Sequence, residues 1–491
     1  MPGAARPIPA RPIPLKPKSG LPVVTEVEDK EEDELKDLIT PLTMSPWLIS
    51  TIVHMAIVLI SAFIYFAPRI SESVELEAVY AEAIGEQLET DMLDMGLNDP
   101  ETTDAALSFD SKMVDDPLAA PPMINDLTME SVGVTSDITA PSIGIALTGR
   151  EAGAKKALLG AYGGTATTEA SVEMGLDWLV KNQRSDGTWS LQEPYSSGSG
   201  FENVTSATAM ALLAFQGHGD TPAKGDYKKT VEKGWKALLA MQDRDGNFVK
   251  DGGFNQRLYA QAQATIAICE LYGMTKESRY AAPAELAVQY ALKAQSPEGG
   301  WRYQPGVDSD TSVTGWYVMA LQSARMAKMD VPQASLDNIS RFLDSVSSQD
   351  GTRYCYQLGR DADQVMTAEA MLCRQYLGWK RSDPRMASGA EYVGVHPLAY
   401  GPGTQNVYYW YYATQFLHHM ESPYWNKWNS VMRQAVPTQQ IKTGAEKGSW
   451  SPADDEWGTQ GGRLYVTCLS IYMLEVYYRH LPLYSGDAVR Q

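Results

Sequence analysis

The sequence predicts an all-α domain built from six repeated helix pairs. Its clearest unit, residues 284–321, runs from an amphipathic helix through a Gly-Trp turn and an acidic loop into an almost wholly apolar helix. The turn glycine recurs along the chain in steps of 59, 53, 52, 50 and 47 residues. Such a period is typical of one supersecondary unit repeated several times. The six turn glycines are Gly187, Gly246, Gly299, Gly351, Gly401 and Gly448.

The two helices of each pair differ in their apolar pattern. First helices keep one apolar face, as in 172–179, where apolar or small residues stand at offsets 0, 3, 4 and 7. Second helices are apolar around most of their circumference, so they must be covered on both sides. This predicts two concentric layers with the second helices inside, and both a closed ring and an open solenoid satisfy it. The second helices are Thr205–Gln216, Tyr259–Tyr272, Thr311–Ala327, Met366–Leu377, Asn406–Met420 and Leu464–His480.

Three segments precede this domain. Residues 1–45 form a Pro-rich and acidic arm that lacks the apolar residues for a core. Its repeated ARPIP favours extended polyproline conformations, which serve either as a spacer or as a ligand for a partner protein with an aromatic groove. Residues 46–68 are predicted to be a transmembrane helix. Residues 69–154 are predicted to be an acidic flexible linker, since 70–148 hold 17 Asp and Glu against one Lys.

The apolar segment Trp47–Ala67 has 21 residues without a formal charge, and a bilayer core needs about 20 in a helix. A cleaved signal peptide is the alternative, but this run is longer than a signal core, starts late and lacks a clear cleavage site. Basic residues ahead of the span favour a single-pass topology with the N-terminus inside and the main domain outside the cytoplasm. Most of the net charge of −19 lies in the linker, so the folded part does not have the basic surface of a nucleic-acid binder.

The turns also carry a recognisable motif. Gln183 to Trp189 and Gln295 to Trp301 read Gln-x-x-x-Gly-x-Trp, Gln242 to Phe248 is a variant with Phe, and Trp450 keeps the end of the motif. These turns resemble the repeat of squalene and oxidosqualene cyclases. The resemblance covers residues 155–485 and implies an (α/α)6 toroid, shared with the β-subunit of protein prenyltransferases, in which the Gln and Trp brace successive helices.

A narrower resemblance rests on the anchor, the acidic linker and three segments, DTSVTGW, YYWYYATQ and LEVYYRHLPLY. These are similar to membrane-anchored toroid proteins of planctomycete-type bacteria, which implies a bacterial cytoplasmic membrane as the location. No chemistry is carried over from that group.

The resemblance supplies a test for cyclase activity. Such cyclases carry an Asp-x-Asp-Asp-Thr-Ala segment whose middle Asp is the general acid. Here Asp310 and Thr311 match the end of that motif, while Ser309 stands where the protonating acid belongs and Asp308 falls at the variable position. A register shifted by one residue aligns Asp308 and Asp310 with the first two acids but puts Thr311 in place of the third. Asp308 and Asp310 are therefore the candidate catalytic acids, and the site is incomplete in either register. Because short acceptors precede a long apolar helix, the sequence favours helix capping by Asp310 and Thr311.

No cofactor or metal site is expected from the sequence. The zinc site of prenyltransferases needs Asp and Cys at close spacing, and Cys468 has Val466 where that Asp belongs. The other three cysteines have no partner at metal-ligand spacing, and three of the four lie in apolar helices, where they are expected to be buried.

Aromatic residues are the remaining functional signal. If they line a central cavity, they could hold an apolar or polyprenyl ligand, or a sugar chain stacked on rings; otherwise they fill the space between the layers. The candidates are Trp316, Tyr317, Tyr409, Trp410, Trp457 and Tyr465. The sequence thus predicts a membrane-tethered binding or scaffold module with a degenerate catalytic site. The alternative is an enzyme of the squalene-cyclase-like class, an isomerase or lyase, that acts on an isoprenoid or a polysaccharide.

Overall fold

A computed structural model describes residues 147–481, except Lys250 and Ser422, together with Leu483. The predicted arm, the span Trp47–Ala67 and the linker up to residue 146 lie outside the described residues. Among the residues that are described, no helix is both long and apolar enough to cross a bilayer.

The described chain is mostly helical, with two short 3-10 turns at Thr148–Arg150 and Phe254–Gln256. It begins with α1 (Ala152–Ala161) and ends with α14 (Val476–Arg479). The first helices of the six pairs are α2 (Ala166–Lys181), α4 (Lys228–Met241), α6 (Ser278–Lys293), α8 (Gln333–Ser345), α10 (Pro384–Gly394) and α12 (Tyr424–Gln439). The second helices are α3 (Val204–His218), α5 (Arg257–Thr275), α7 (Thr311–Met326), α9 (Gln364–Tyr376), α11 (Val407–Met420) and α13 (Gly458–Leu474).

The second helices form a closed inner ring. Each packs against the next, from α3 through α5, α7, α9 and α11 to α13, and α13 packs back against α3. Their burial agrees with their composition, since every residue of α11 is buried while the outer helices keep an exposed face. Of the two arrangements that the sequence leaves open, the structure has the ring, and this architecture is consistent with an α/α toroid.

The side chains of the repeat motif join neighbouring outer helices. We call a staple the pair of hydrogen bonds that one glutamine Nε2 donates, one to its own turn and one to another outer helix. Gln183 follows α2, and its Nε2 donates to the carbonyl oxygen of Gly187 in its own turn and to that of Thr230 on α4, both at 2.9 Å. The indole of Trp189 donates back to Leu179 O at 2.8 Å. Equivalent bonds join Gln242 to Pro283, Gln295 to Ser335, Trp301 to Ala291 and Trp450 to Val436. Each glutamine therefore ties one outer helix to the next.

The ring closes through a staple of the same kind. Gln440 Nε2 donates to Gly448 O at 2.9 Å and to Ser171 O on α2 at 2.8 Å, which links the last repeat to the first. The sequence motif misses Gln440, because it lies eight residues before its glycine rather than four. A longer loop separates them while the two hydrogen bonds stay the same.

The fourth repeat replaces the Gly-Trp turn with a small sheet, a departure from the all-α prediction. Three antiparallel strands, β1 (Ser347–Ser348), β2 (Arg353–Cys355) and β3 (Ala362–Asp363), follow one another in that order. Tyr354 of β2 takes the place of the tryptophan, because its N–H donates to Thr367 Oγ1 at 3.1 Å as Trp189 N–H donates to Thr208 Oγ1. All four cysteines are free and buried: the three in inner helices, as predicted, and Cys355 in β2.

Buried arginines and glutamates form ion pairs at the C-terminal ends of the inner helices. Arg150 donates to Glu270 Oε2 at 2.7 Å, Arg479 lies 3.4 Å from the same oxygen, and Arg479 donates to Glu475 at 2.9 Å. We call this set the basal cluster. Residues 147–154, predicted to belong to the flexible linker, are instead part of the ring, because Leu147 is buried and the Arg150 guanidinium pairs inside it.

Replacing Gln440 with alanine is expected to lower the free energy of unfolding by about 1–3 kcal/mol, because the buried carbonyls of Ser171 and Gly448 lose their donor. Urea denaturation measures the loss. The exposed neighbour Gln439→Ala, at the end of the same helix, is the matched control and is expected to change little. Equal losses in both variants would contradict the closing role of Gln440.

Candidate ligand pocket and buried acids

A cavity of about 570 Å³ opens at the N-terminal ends of the inner helices. Its walls come from the N-terminal halves of all six and from neighbouring loops, so the pocket lies on the axis of the ring, opposite the basal cluster. One lining residue from each inner helix is Ser206, Tyr259, Trp316, Met366, Tyr408 and Tyr465. A pocket of this size accommodates a small molecule or a few sugar units.

The lining combines aromatic rings with carboxamides. Eight rings contribute, those of Phe201, Tyr259, Tyr303, Trp316, Tyr356, Tyr408, Trp457 and Tyr465. Five carboxamides join them, those of Asn203, Asn255, Gln256, Gln263 and Gln460. The Nδ2 of Asn203 is buried and has no hydrogen-bond partner among the described residues. Such a wall offers flat apolar faces together with donors and acceptors.

Half of the aromatic candidates reach this pocket. Trp316, Trp457 and Tyr465 line it, and Trp457 stands at the mouth with 44% of its surface exposed. The other three lie between the helix layers.

Their positions have simple causes. Tyr317 stacks on Trp301, with ring centroids 4.7 Å apart. Tyr409 points outward from α11 and donates to Val393 O at 2.9 Å, and Trp410 packs on Tyr400. Successive helical residues are turned by about 100°, so Tyr409 and Trp410 point away from the pocket when Tyr408, the preceding residue, lines it.

Asp310 is both a helix cap and a buried acid. Its Oδ1 accepts from Val313 N–H at 2.7 Å, which confirms the predicted cap of α7. Its Oδ2 accepts from Tyr356 O–H at 2.8 Å and lies 3.4 Å from Arg302 Nε. The side chain is fully buried, and this burial raises the pKa of Asp310 to about 6, although the two donors and Arg302 act in the opposite direction. Asp310 does not line the pocket; Tyr356 stands between them.

The other residues of this loop hold the turn together. Asp308 is partly exposed and accepts from Arg302 at 2.6 Å, so Arg302 bridges the two candidate acids. Ser309, at the position of the missing acid, is buried and hydrogen-bonds Ser296 Oγ at 2.7 Å. Ser309 therefore stabilises the turn between α6 and α7.

A second buried acid, Glu369 on α9, was not found from the sequence. It accepts from Tyr408 O–H at 3.1 Å, and Tyr408 Oη lies 2.6 Å from Ser312 Oγ, which also accepts from Tyr259. Burial holds the pKa of Glu369 well above its ordinary range. A Cβ at Gly315 would overlap the carboxyl group, so this glycine makes room for it. The available signal was a glutamate in the apolar stretch 365–373 of this inner helix.

Two acids do line the pocket, Asp363 and Glu456. Asp363 caps α9 through Met366 N–H at 2.8 Å, and partial burial raises its pKa above the ordinary value. Glu456 is exposed, and Asn406 Nδ2 donates to its Oε2 at 2.6 Å. Arg302 is the single cationic side chain among the lining residues. The pocket thus carries one partly buried carboxyl group, that of Asp363, and one exposed to solvent, that of Glu456.

Comparison with known proteins gives structural similarity alone. No protein-family model matches the sequence, and no curated protein matches it. An α-1,6-mannanase from Salegentibacter sp. is 12% identical with a TM-score of 0.46, the match covering 63% of this chain and 98% of that one. A family 76 glycoside hydrolase (mannosidase) from Bacteroides thetaiotaomicron is 11% identical, with a TM-score of 0.45 and coverage of 66% and 100%. A type II terpene cyclase from Scytonema, in complex with geranylgeranyl dihydroxybenzoate, is 12% identical, with a TM-score of 0.43 and coverage of 64% and 97%. Similarity at this level does not identify an activity.

Proposed function

We propose that this chain is an enzyme that cleaves glycosidic bonds in its central pocket, with Asp363 as proton donor and Glu456 as the second carboxyl group. This corresponds to the polysaccharide alternative that the sequence leaves open. The observation that carries it is that these are the two acids of the described chain that line the pocket.

The chemistry fits two carboxyl groups in unlike surroundings. Glycosidases use one carboxylic acid to protonate the leaving oxygen and one carboxylate as base or nucleophile. A raised pKa suits the first task, and burial gives this to Asp363, whereas Glu456 is solvated. Asp310 and Glu369, each separated from the pocket by a tyrosine, hold Tyr356 and Tyr408 in place.

The pocket wall fits a sugar. Ring faces such as Trp457 stack on the apolar face of a pyranose, and carboxamides pair with its hydroxyl groups. In this proposal the predicted span Trp47–Ala67 holds the ring at the membrane outside the cytoplasm, where glycans are accessible.

The test is hydrolysis of a panel of aryl glycosides and oligosaccharides by the full chain. Asp363→Asn and Glu456→Gln are each expected to lower the rate by about 10²–10⁴-fold, because asparagine keeps the cap of α9 while the proton is lost. The exposed neighbours Asp361→Asn and Asp454→Asn are the controls and are expected to retain activity. Glycan binding by calorimetry without hydrolysis in the wild type would instead support the binding module.

A second candidate is an apolar or polyprenyl ligand held without chemistry. It is favoured by the exposed apolar side chains near the mouth, Phe201 and Trp457 on the lining and Phe254 beside Tyr303. Mass spectrometry of an organic extract of the purified full chain distinguishes the two, since a co-purifying lipid supports this candidate.

A further inference from the structure

Three possible metal ligands meet between the outer helix α2 and the inner helix α3, at the end of the ring opposite the pocket mouth. Glu169 and Glu173 are one helical turn apart on α2, and His218 is the last residue of α3. One ligand atom from each lies within 4.8 Å of the others. The sequence search missed the set because it considered cysteine and histidine spacing, whereas this group joins residues from two helices.

The histidine is oriented by a buried carboxylate. His218 Nδ1 lies 2.6 Å from Asp220 Oδ2, and Asp220 is itself buried and accepts from Tyr227 N–H at 2.9 Å. With the Nδ1 proton donated to Asp220, the lone pair of Nε2 faces the two glutamates, and Nε2 lies 3.7 Å from Glu169 Oε1. Histidines that bind metals commonly donate their second ring N–H to a carboxylate in this way.

We propose that Glu169, Glu173 and His218 form a binding site for a divalent transition-metal ion, most suitably Zn²⁺. One imidazole nitrogen and two carboxylate oxygens are ligands that zinc accepts, and water completes a tetrahedral shell. Glu173 is exposed, so the ion reaches the site from solvent. A bound ion joins α2, the helix that receives the Gln440 staple, to α3 of the inner ring.

One neighbouring cation competes for the site. Lys155 on α1 forms an ion pair with Glu169 Oε1, and its Nζ also lies 4.7 Å from the centre of the Tyr478 ring. Metal binding displaces the ammonium group from the carboxylate while the ring contact remains available. Removal of this lysine is therefore expected to raise the zinc affinity, whereas removal of a ligand is expected to lower it.

The experiment uses the full chain, stripped with a chelator and titrated with Zn²⁺ against a chromogenic competitor. We expect one site whose affinity falls at least tenfold in Glu173→Gln and rises in Lys155→Met. Glu285→Gln, an exposed glutamate on the outer helix α6, is the matched control. Differences between variants decide the result, because the acidic segment 70–148 also attracts cations.

Zinc affinity and stoichiometry in Glu173→Gln equal to those in Glu285→Gln would overturn the proposal. A melting temperature measured without metal shows whether each variant is folded. Because Glu173 is exposed, we expect Glu173→Gln to melt as the wild type does without zinc and to lose the zinc-dependent increase in melting temperature.

Discussion

Gly448→Ala is expected to lower the free energy of unfolding by about 2–4 kcal/mol, one of the two largest effects anticipated for a single substitution in the ring. Gly448 has a φ of +98°, and an added Cβ would overlap the backbone oxygen of Met174 on α2. Because that oxygen belongs to a helix backbone, it cannot move aside without opening the contact between the last and first repeats. Urea denaturation of the purified chain measures the loss.

Gly444→Ala is the control for backbone strain alone. Gly444 also has a positive φ, +80°, but no atom lies within 4 Å of a Cβ built there. It is expected to cost about 1 kcal/mol, the usual price of a left-handed alanine. Equal losses at both glycines would show that the helix contact contributes nothing beyond the strain.

Asp310→Asn is expected to abolish a pH-dependent loss of about 3 kcal/mol in the free energy of unfolding. The folded protein holds the pKa of Asp310 at about 6, against an ordinary value of 3.8. Between these values the unfolded chain releases a proton that the folded chain keeps. The contribution of Asp310 to stability is therefore complete below about pH 3.8 and is lost as pH rises through 6. Asparagine keeps the cap and cannot ionise, so the variant does not show this loss.

The measurement is the difference in the free energy of unfolding between wild type and Asp310→Asn, from pH 4 to pH 8. We expect the wild type to lose stability relative to the variant across that range. Asp308→Asn, two residues away and partly exposed, is the control. A constant difference at all pH values would show that Asp310 keeps its ordinary pKa.

The fold was predictable from the sequence because its signals are local and repeated. Each turn needs a residue that tolerates a positive φ, and each inner helix needs apolar residues on most sides. Repetition of both features along the chain makes the pattern recognisable. Ring closure was not predictable, since it depends on Gln440 and Ser171, which lie 269 residues apart. The sheet of the fourth repeat was missed because its strands are two or three residues long.

The site was predictable only in part, since side-chain direction on an inner helix depends on the ring axis. Trp316 and Tyr465 face the axis, whereas Tyr317 faces the outer layer although it is the next residue along the chain from Trp316. The raised pKa of Asp310 comes from burial behind Tyr356, a residue of the next repeat. The cap role of Asp310, which depends on adjacent residues, was predicted correctly. Thr311, predicted to cap with it, instead donates to Cys355 O at 2.7 Å.

The basal cluster also decides how the ring can be joined to other parts of a chain. Arg150, near the start of the described chain, lies 3.4 Å through its Nη2 from the carbonyl oxygen of Arg479, near its end. Both ends of the described chain thus lie on the same face, and the loops around the pocket carry neither of them. The described ring is therefore joined to the rest of the chain at its base at both ends, and not through the loops around the pocket.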